Sequence, residues 1–288
     1  MRRTFPQRRR PMTKTWLRQG GRCLLRLPWV VTTLLALLLT VTATARWPGL
    51  QRQCLRWGSW ALCQAFSVRL PAPLTLPASP RLMVANHISW LDVVVLSALL
   101  PPAAGTCFLA KAEVARWPVI GAFARGLGMA FIDRTSAFRS YRALPTLAEG
   151  LRTRSLLLFP EGTTTDGEGI APLKPMGFEL AARTGVPVQP LFLRYCDGAG
   201  RLSQAPAFLG DDTLLESVLR LACAPAVSVD VEVMPALSAA PRKRLAHSVA
   251  ASFTAVAERQ PAPRPPVRRA PFPRRSPGSG GPPQGVAG

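Results

Sequence analysis

The chain has 288 residues, 48% of them hydrophobic, with 36 Lys and Arg against 15 Asp and Glu and a formal net charge of +21. The apolar share excludes bulk disorder and leaves room for one domain with its own core plus appendages. Residues 1–91 hold 14 basic side chains and no acid, residues 92–260 hold 17 basic and 15 acidic, and residues 261–288 hold five Arg and no acid. A basic excess confined to the ends argues against a globally basic nucleic-acid-binding fold and favours an anionic membrane surface as partner.

Residues 1–26 form a basic N-terminus with nine Lys and Arg, Arg8-Arg9-Arg10 among them. Leu27–Ala45 is the next segment, 19 residues without a charge. As a helix at about 1.5 Å per residue it would be roughly 28 Å long, close to a bilayer core. Its basic flank predicts a cytoplasmic N-terminus. A signal peptide ending near Ala43-Thr44-Ala45 is the alternative. Residues 54–70 are apolar, with Arg56 and Arg69 at the ends and Trp57 and Trp60 inside. They read as an interfacial helix or as an amphipathic helix packed on the body. Residues 27–70 are therefore expected as membrane-spanning or interfacial helices. If they form a re-entrant pair, the chain from residue 71 onward returns to the cytoplasmic side.

A Pro-rich linker occupies 71–80, and the body 81–260 alternates short apolar runs with helical segments. Strands are expected at Arg81–Ala85, Thr106–Ala110, Met129–Ile132, Ser155–Phe159, Val188–Leu193 and Val227–Met234. Helices are expected at Trp90–Leu100, Val119–Leu127, Phe138–Leu151, Pro175–Thr184, Thr213–Ala222 and Arg242–Glu258. Non-alternating strands between helices predict an α/β fold, a mostly parallel or mixed sheet with helices on its faces. The tail from Pro261 has nine Pro, five Gly and five Arg in 28 residues and is expected to be disordered. Six cysteines without a CxxC, and only two histidines, give no zinc spacing and no disulfide framework. No metal site is expected.

Two stretches carry the chemistry. In Asn86-His87-Ile88-Ser89-Trp90-Leu91-Asp92 an apolar strand runs into a turn, and Ser89 is a good N-cap for the next helix. Positions five apart on one helix point about 140° from each other. With His87 in the turn and Asp92 in the helix's first turn, the carboxylate can reach back to the ring. It would then fix the tautomer at Nδ1 and leave Nε2 as a general base. Alone, such a pair reads more often as a satisfied capping arrangement than as a catalytic one. The second stretch, Phe159-Pro160-Glu161-Gly162-Thr163-Thr164-Thr165-Asp166-Gly167, leaves a buried strand for a polar turn at a strand's carboxyl end, where α/β sites lie. His247 reads as an exposed helical histidine.

Asn-His-x-Ser-Trp-x-Asp at 86–92, followed by Phe-Pro-Glu-Gly-Thr at 159–163, resembles the glycerolipid acyltransferase family, whose best-known bacterial member is the 1-acylglycerol-3-phosphate acyltransferase PlsC. Lys111-Ala112-Glu113, Phe131-Ile132-Asp133-Arg134 and Val186-Pro187-Val188-Gln189-Pro190 extend the resemblance over about 81–235. It implies an acyltransferase domain over 81–260 in which His87 deprotonates a lysolipid hydroxyl, oriented by Asp92. The hydroxyl attacks the thioester of acyl-CoA or acyl-acyl carrier protein, with no cofactor and no covalent nucleophile. It assigns Glu161, Gly162, Thr163 and Arg134 to the acceptor's polar head, with a further phosphate contact from Lys111. Members acting on lysophosphatidate often carry Arg directly after the Glu-Gly-Thr; here that position is Thr164, and Lys174 or Arg134 would have to compensate. The expected acceptor is 1-acylglycerol-3-phosphate, giving phosphatidate, with a lyso-ornithine lipid or another lysophospholipid as the alternative. The expected location is a membrane with the catalytic domain at its cytoplasmic face, as at a bacterial inner membrane, with lipid bilayer and no nucleic acid as partner. A hydrolase using the same dyad lacks a Gly-x-Ser-x-Gly elbow. A membrane-anchored basic scaffold would depend on the two termini alone.

Overall fold

The computed structural model describes residues 16–101, 105–116, 121, 124, 128–132 and 137–259. The expectations for residues 1–15, for the tail and for most of Val119–Leu127 lie outside these. The chain opens with a helical hairpin, α1 (Trp16–Ala43) and α2 (Pro48–Ala65). Pro48 sits in the first turn of α2, where its missing N–H costs no hydrogen bond. α1 starts upstream of the apolar run, inside the basic segment. Arg and Gln are good helix formers, and Arg26 on it donates to the carbonyls of Ala222 (3.1 Å) and Ala224 (2.7 Å), so the basic stretch is tied to the body. At Gly58 a Cβ would lie 2.2 Å from Leu37 Cδ1, so glycine there lets α1 lie close against α2. α2 in turn buries Leu55, Leu62 and Cys63, which favours the packed-helix reading of this segment.

Seven strands make one sheet: β1 (Val68–Arg69), β2 (Leu82–Ala85), β3 (Cys107–Lys111), β4 (Ala130–Ile132), β5 (Leu156–Leu158), β6 (Val188–Cys196) and β7 (Val227–Val233). Their order is β1-β7-β6-β2-β5-β3-β4. All neighbours are parallel except β6 and β7, so the sheet is mixed. Further α-helices among the described residues are α3 (Leu91–Leu99), α4 (Ala137–Thr153), α5 (Glu179–Thr184), α6 (Leu214–Cys223) and α7 (Arg242–Ala257).

The period of two along each strand divides the core. On one face, Met83, Ala85, Leu157, Leu191, Leu193 and Tyr195 meet α2, α3 and α6. On the other, Leu82, Val84, Leu156, Leu158, Val188 and Phe192 meet α4, α5 and α7. Burial on both faces explains why β2 and β5 read as unbroken apolar runs. All six cysteines are free thiols, three of them buried. His247 lies exposed on α7. Among the described residues one helical stretch, Gly20–Ala43, is long and apolar enough to cross a membrane.

Candidate active site

The register of β2 and β5 brings the two motif stretches together. Val84 pairs with Leu158, so His87 and Glu161 each lie three residues beyond a matched pair, at the carboxyl ends of adjacent central strands. Asn86 holds the end of β2 to β6. Its side-chain amide donates to the Leu193 carbonyl (3.0 Å), and its Oδ1 accepts from Leu193 N–H (2.6 Å). This replaces a pair of ladder bonds where the strand stops and the turn begins.

Asp92 organises that turn. Its Oδ2 lies 2.8 Å from His87 Nδ1 and accepts from the N–H groups of Ile88 (2.7 Å) and Ser89 (2.9 Å). Its Oδ1 accepts from the Tyr195 hydroxyl at 2.8 Å. Asp92 is fully buried, and four donors compensate the cost of holding its charge there. Ser89 is not the N-cap. α3 begins one residue later, with Trp90 at that position and no side-chain cap, and Ser89 Oγ accepts from Leu91 N–H instead. The Asp92 carboxylate holds the amides of Ile88 and Ser89, upstream of the helix, while the Asp92 and Val93 amides turn to the carbonyls of Ser89 and Trp90.

His87 retains 21% of its side-chain exposure. The Phe159 ring stacks on it at 4.0 Å between centroids and 15° between planes, so the imidazole is fixed both in plane and face-on. A carboxylate on Nδ1 selects the tautomer that presents Nε2 as a proton acceptor. No hydrogen bond among the described residues engages Nε2.

Glu161 is 2% exposed, and both its oxygens are taken by backbone amides. Oε1 accepts from His87 N–H and Oε2 from Ala171 N–H, each at 2.7 Å. Burial pushes its carboxyl up to about 7, against the opposing pull of those two amides. The resemblance assigns Glu161 to the acceptor's head; in the structure its two oxygens tie the second stretch to the backbone of His87. Thr165 adds to this tie, donating from N–H (2.8 Å) and Oγ1 (3.2 Å) to the His87 carbonyl.

Gly162 has φ +70, and a Cβ there would lie 2.7 Å from Lys174 Nζ. The positive φ calls for glycine, and the lysine side chain lies across it. Thr163 is exposed in the same turn, while Thr164 is directed inward, its hydroxyl donating to the Phe208 carbonyl. Lys111 closes β3 at the same edge of the sheet. Arg134 lies outside the described residues. The structure thus brings His87, Asp92, Glu161, Gly162 and Thr163 together and sets the backbone of Lys111 on their edge. Sequence reasoning left out Tyr195 and Phe159. Phe159 stood within the second stretch, and a tyrosine in the buried run of β6 needed a hydroxyl partner, but neither signal named what it would meet.

The Acyltransferase family model matches residues 68–194. The lyso-ornithine lipid O-acyltransferase of Pseudomonas aeruginosa is 38% identical over 215 residues, covering 73% of this chain and 81% of that protein. The 1-acyl-sn-glycerol-3-phosphate acyltransferase of Neisseria gonorrhoeae is 33% identical over 160 residues, 54% of this chain and 61% of that protein. The crystal structure of PlsC, the 1-acyl-sn-glycerophosphate acyltransferase of Thermotoga maritima, shares the fold, with a TM-score of 0.57 at 18% identity, covering 83% of this chain and 96% of that one.

Proposed function

The chain belongs to the glycerolipid acyltransferase family, as an O-acyltransferase of lysolipids, and on that footing we propose that its acceptor is a lyso-ornithine lipid. The observation that carries this reading is Thr164. Where a cation for a phosphomonoester would stand, a neutral hydroxyl is turned away onto the Phe208 carbonyl. An ornithine head has a carboxylate and an ammonium but no phosphate, so it does not need that cation. The relative from Pseudomonas aeruginosa supports the same acceptor.

In the proposed reaction the acceptor hydroxyl donates to His87 Nε2 while Nδ1–H stays on Asp92. As the proton passes to Nε2, the oxygen attacks the thioester carbonyl of acyl-CoA or acyl-acyl carrier protein. Collapse of the tetrahedral intermediate forms the ester and breaks the C–S bond, and Nε2–H protonates the departing thiolate. Asp92 steadies the transient imidazolium, and Phe159 keeps the ring from turning. Both substrates are amphiphiles, and the apolar outer face of α1 supports a bilayer as the surface they are drawn from. In this reading the catalytic domain lies at the cytoplasmic face, where the thioester donors are made.

The test offers lyso-ornithine lipid and lysophosphatidate to the purified protein with one acyl donor. A preference of more than about tenfold for the ornithine acceptor is expected, equivalent to about 1.4 kcal/mol in transition-state binding. A comparable preference for lysophosphatidate would overturn the assignment. His87→Ala should lower turnover at least about a hundredfold while preserving the thermal transition.

A further inference from the structure

We propose that Tyr195 is a positioning residue for acyl transfer: its hydroxyl, donated to Asp92 Oδ1, holds the carboxylate in the orientation that keeps Oδ2 on His87 Nδ1. This rests on the reading of His87 and Asp92 as the catalytic dyad. The carboxylate of an aspartate turns readily about its last bond, so burial alone does not orient it. Three donors converge on Oδ2, but all belong to residues 87–89, the same short turn that carries the histidine to be oriented. The fourth comes from outside. Tyr195 stands on β6, 103 residues away, is fully buried, and reaches α3 from the sheet's rigid interior. Its alternation with Leu191 and Leu193 puts it on the face that α3 covers.

The hydroxyl is a permanent donor. Burial, and then the neighbouring Asp92, push its ionisation well above the usual tyrosine range. The other titratable groups around the pair are Cys63 from α2, Glu161 from the turn after β5 and His87 itself. Burial pushes the Cys63 thiol up, so it stays neutral. Glu161 titrates near 7 and is common to the wild type and every Tyr195 variant, so differences between them report Tyr195.

The hydroxyl also tempers the charge that Asp92 presents to His87. Removing it leaves Oδ1 without its partner and more of the carboxylate's charge directed at the ring. In Tyr195→Phe, kcat should fall about tenfold with KM for the acceptor unchanged. The acid limb of the pH profile of kcat/KM should move to higher pH. The chain contains only two tyrosines, so 3-fluorotyrosine can be placed at 195 alone in a Tyr141→Phe background. A more acidic phenol is a stronger donor, and there the acid limb should move the opposite way. A residue that merely fills space would produce neither shift. His87→Ala is run alongside. If it retains turnover, the dyad reading falls. If it is inactive while folded Tyr195→Phe and the fluorinated protein both keep the wild-type kcat and acid limb, the Tyr195 proposal alone is overturned. Should Tyr195→Phe fail to fold, the fluorinated protein decides by the direction of its shift.

Discussion

Two buried carboxylates, Asp92 and Glu161, stand at the site and meet different sets of donors. Asp92 is met by four donors, two of them backbone amides and one a fixed phenol, so its charge is stabilised where it stands. Glu161 is met by two amides only, and burial outweighs them. The folded protein therefore keeps a proton on Glu161 up to about pH 7, whereas the unfolded chain releases it near 4.5. Between those values the folded state binds more protons, so this group's contribution to stability declines as pH rises and is flat above about 7. The whole swing is about 3 kcal/mol, an order-of-magnitude figure. In Glu161→Gln the titration is absent, and one of the two amides, at His87 or Ala171, faces an NH2 instead of an oxygen. That variant should lose about 1–3 kcal/mol at pH 7.5 and show a smaller stability difference between pH 5 and pH 7.5 than the wild type, as measured by urea unfolding. Because Glu161 ties the second stretch to the His87 backbone, loosening either end of that tie should lower kcat as well. A variant with wild-type kcat and wild-type pH slope would remove Glu161 from that role.

Helix α6 shows at the next scale how an element is specified locally and used globally. Thr213 Oγ1 accepts from Glu216 N–H and Glu216 returns to Thr213 N–H, a complete capping box, while the other end is closed by Arg26 from α1. Thr213→Ala should cost about 1 kcal/mol in thermal stability and leave kcat unchanged, since the cap lies at the exposed end of the helix. The helix over 213–222 could be read from the sequence, as could the six strands of the body and the His–Asp reach across the turn. What was missed shares one cause. Val68–Arg69 is two residues long and becomes a strand only because β7 lies beside it. Ser89 looks like a cap, but the Asp92 carboxylate gathers the Ile88 and Ser89 amides into the turn and the helix starts after Trp90. Nothing near Glu161 in the sequence names its partner, and the register of β2 with β5 puts the His87 backbone against it. Tyr195 finds Asp92 103 residues away. Periodicity and turn chemistry act over a few residues and survive in the sequence, whereas partners set by sheet order are fixed only by the fold.

For the whole molecule the question is what the basic, acid-free first third does. α1 has an inner row, Arg26, Val30, Leu37 and Val41, facing the body and α2, and an outer row, Leu24, Leu25, Trp29, Leu35 and Leu39, left exposed. A row of that kind on a helix already docked to its domain is an apolar surface without a protein partner among the described residues. The charge alone would give a salt-sensitive attraction, because at 1 M salt the screening length falls to about 3 Å. Burial of leucines does not weaken with salt, and each contributes roughly 1.5–3 kcal/mol. Binding to vesicles containing anionic lipid should therefore persist at 1 M NaCl for the wild-type chain. Replacing Leu35 and Leu39 by Ser removes apolar area without touching the inner row. That variant should still bind at low salt through its Arg residues but be released at 1 M, with the thermal transition and the turnover of a detergent-dispersed acceptor preserved. Release of the wild-type chain by salt alone would mean that its attachment is electrostatic and that the outer row of α1 does not enter the bilayer.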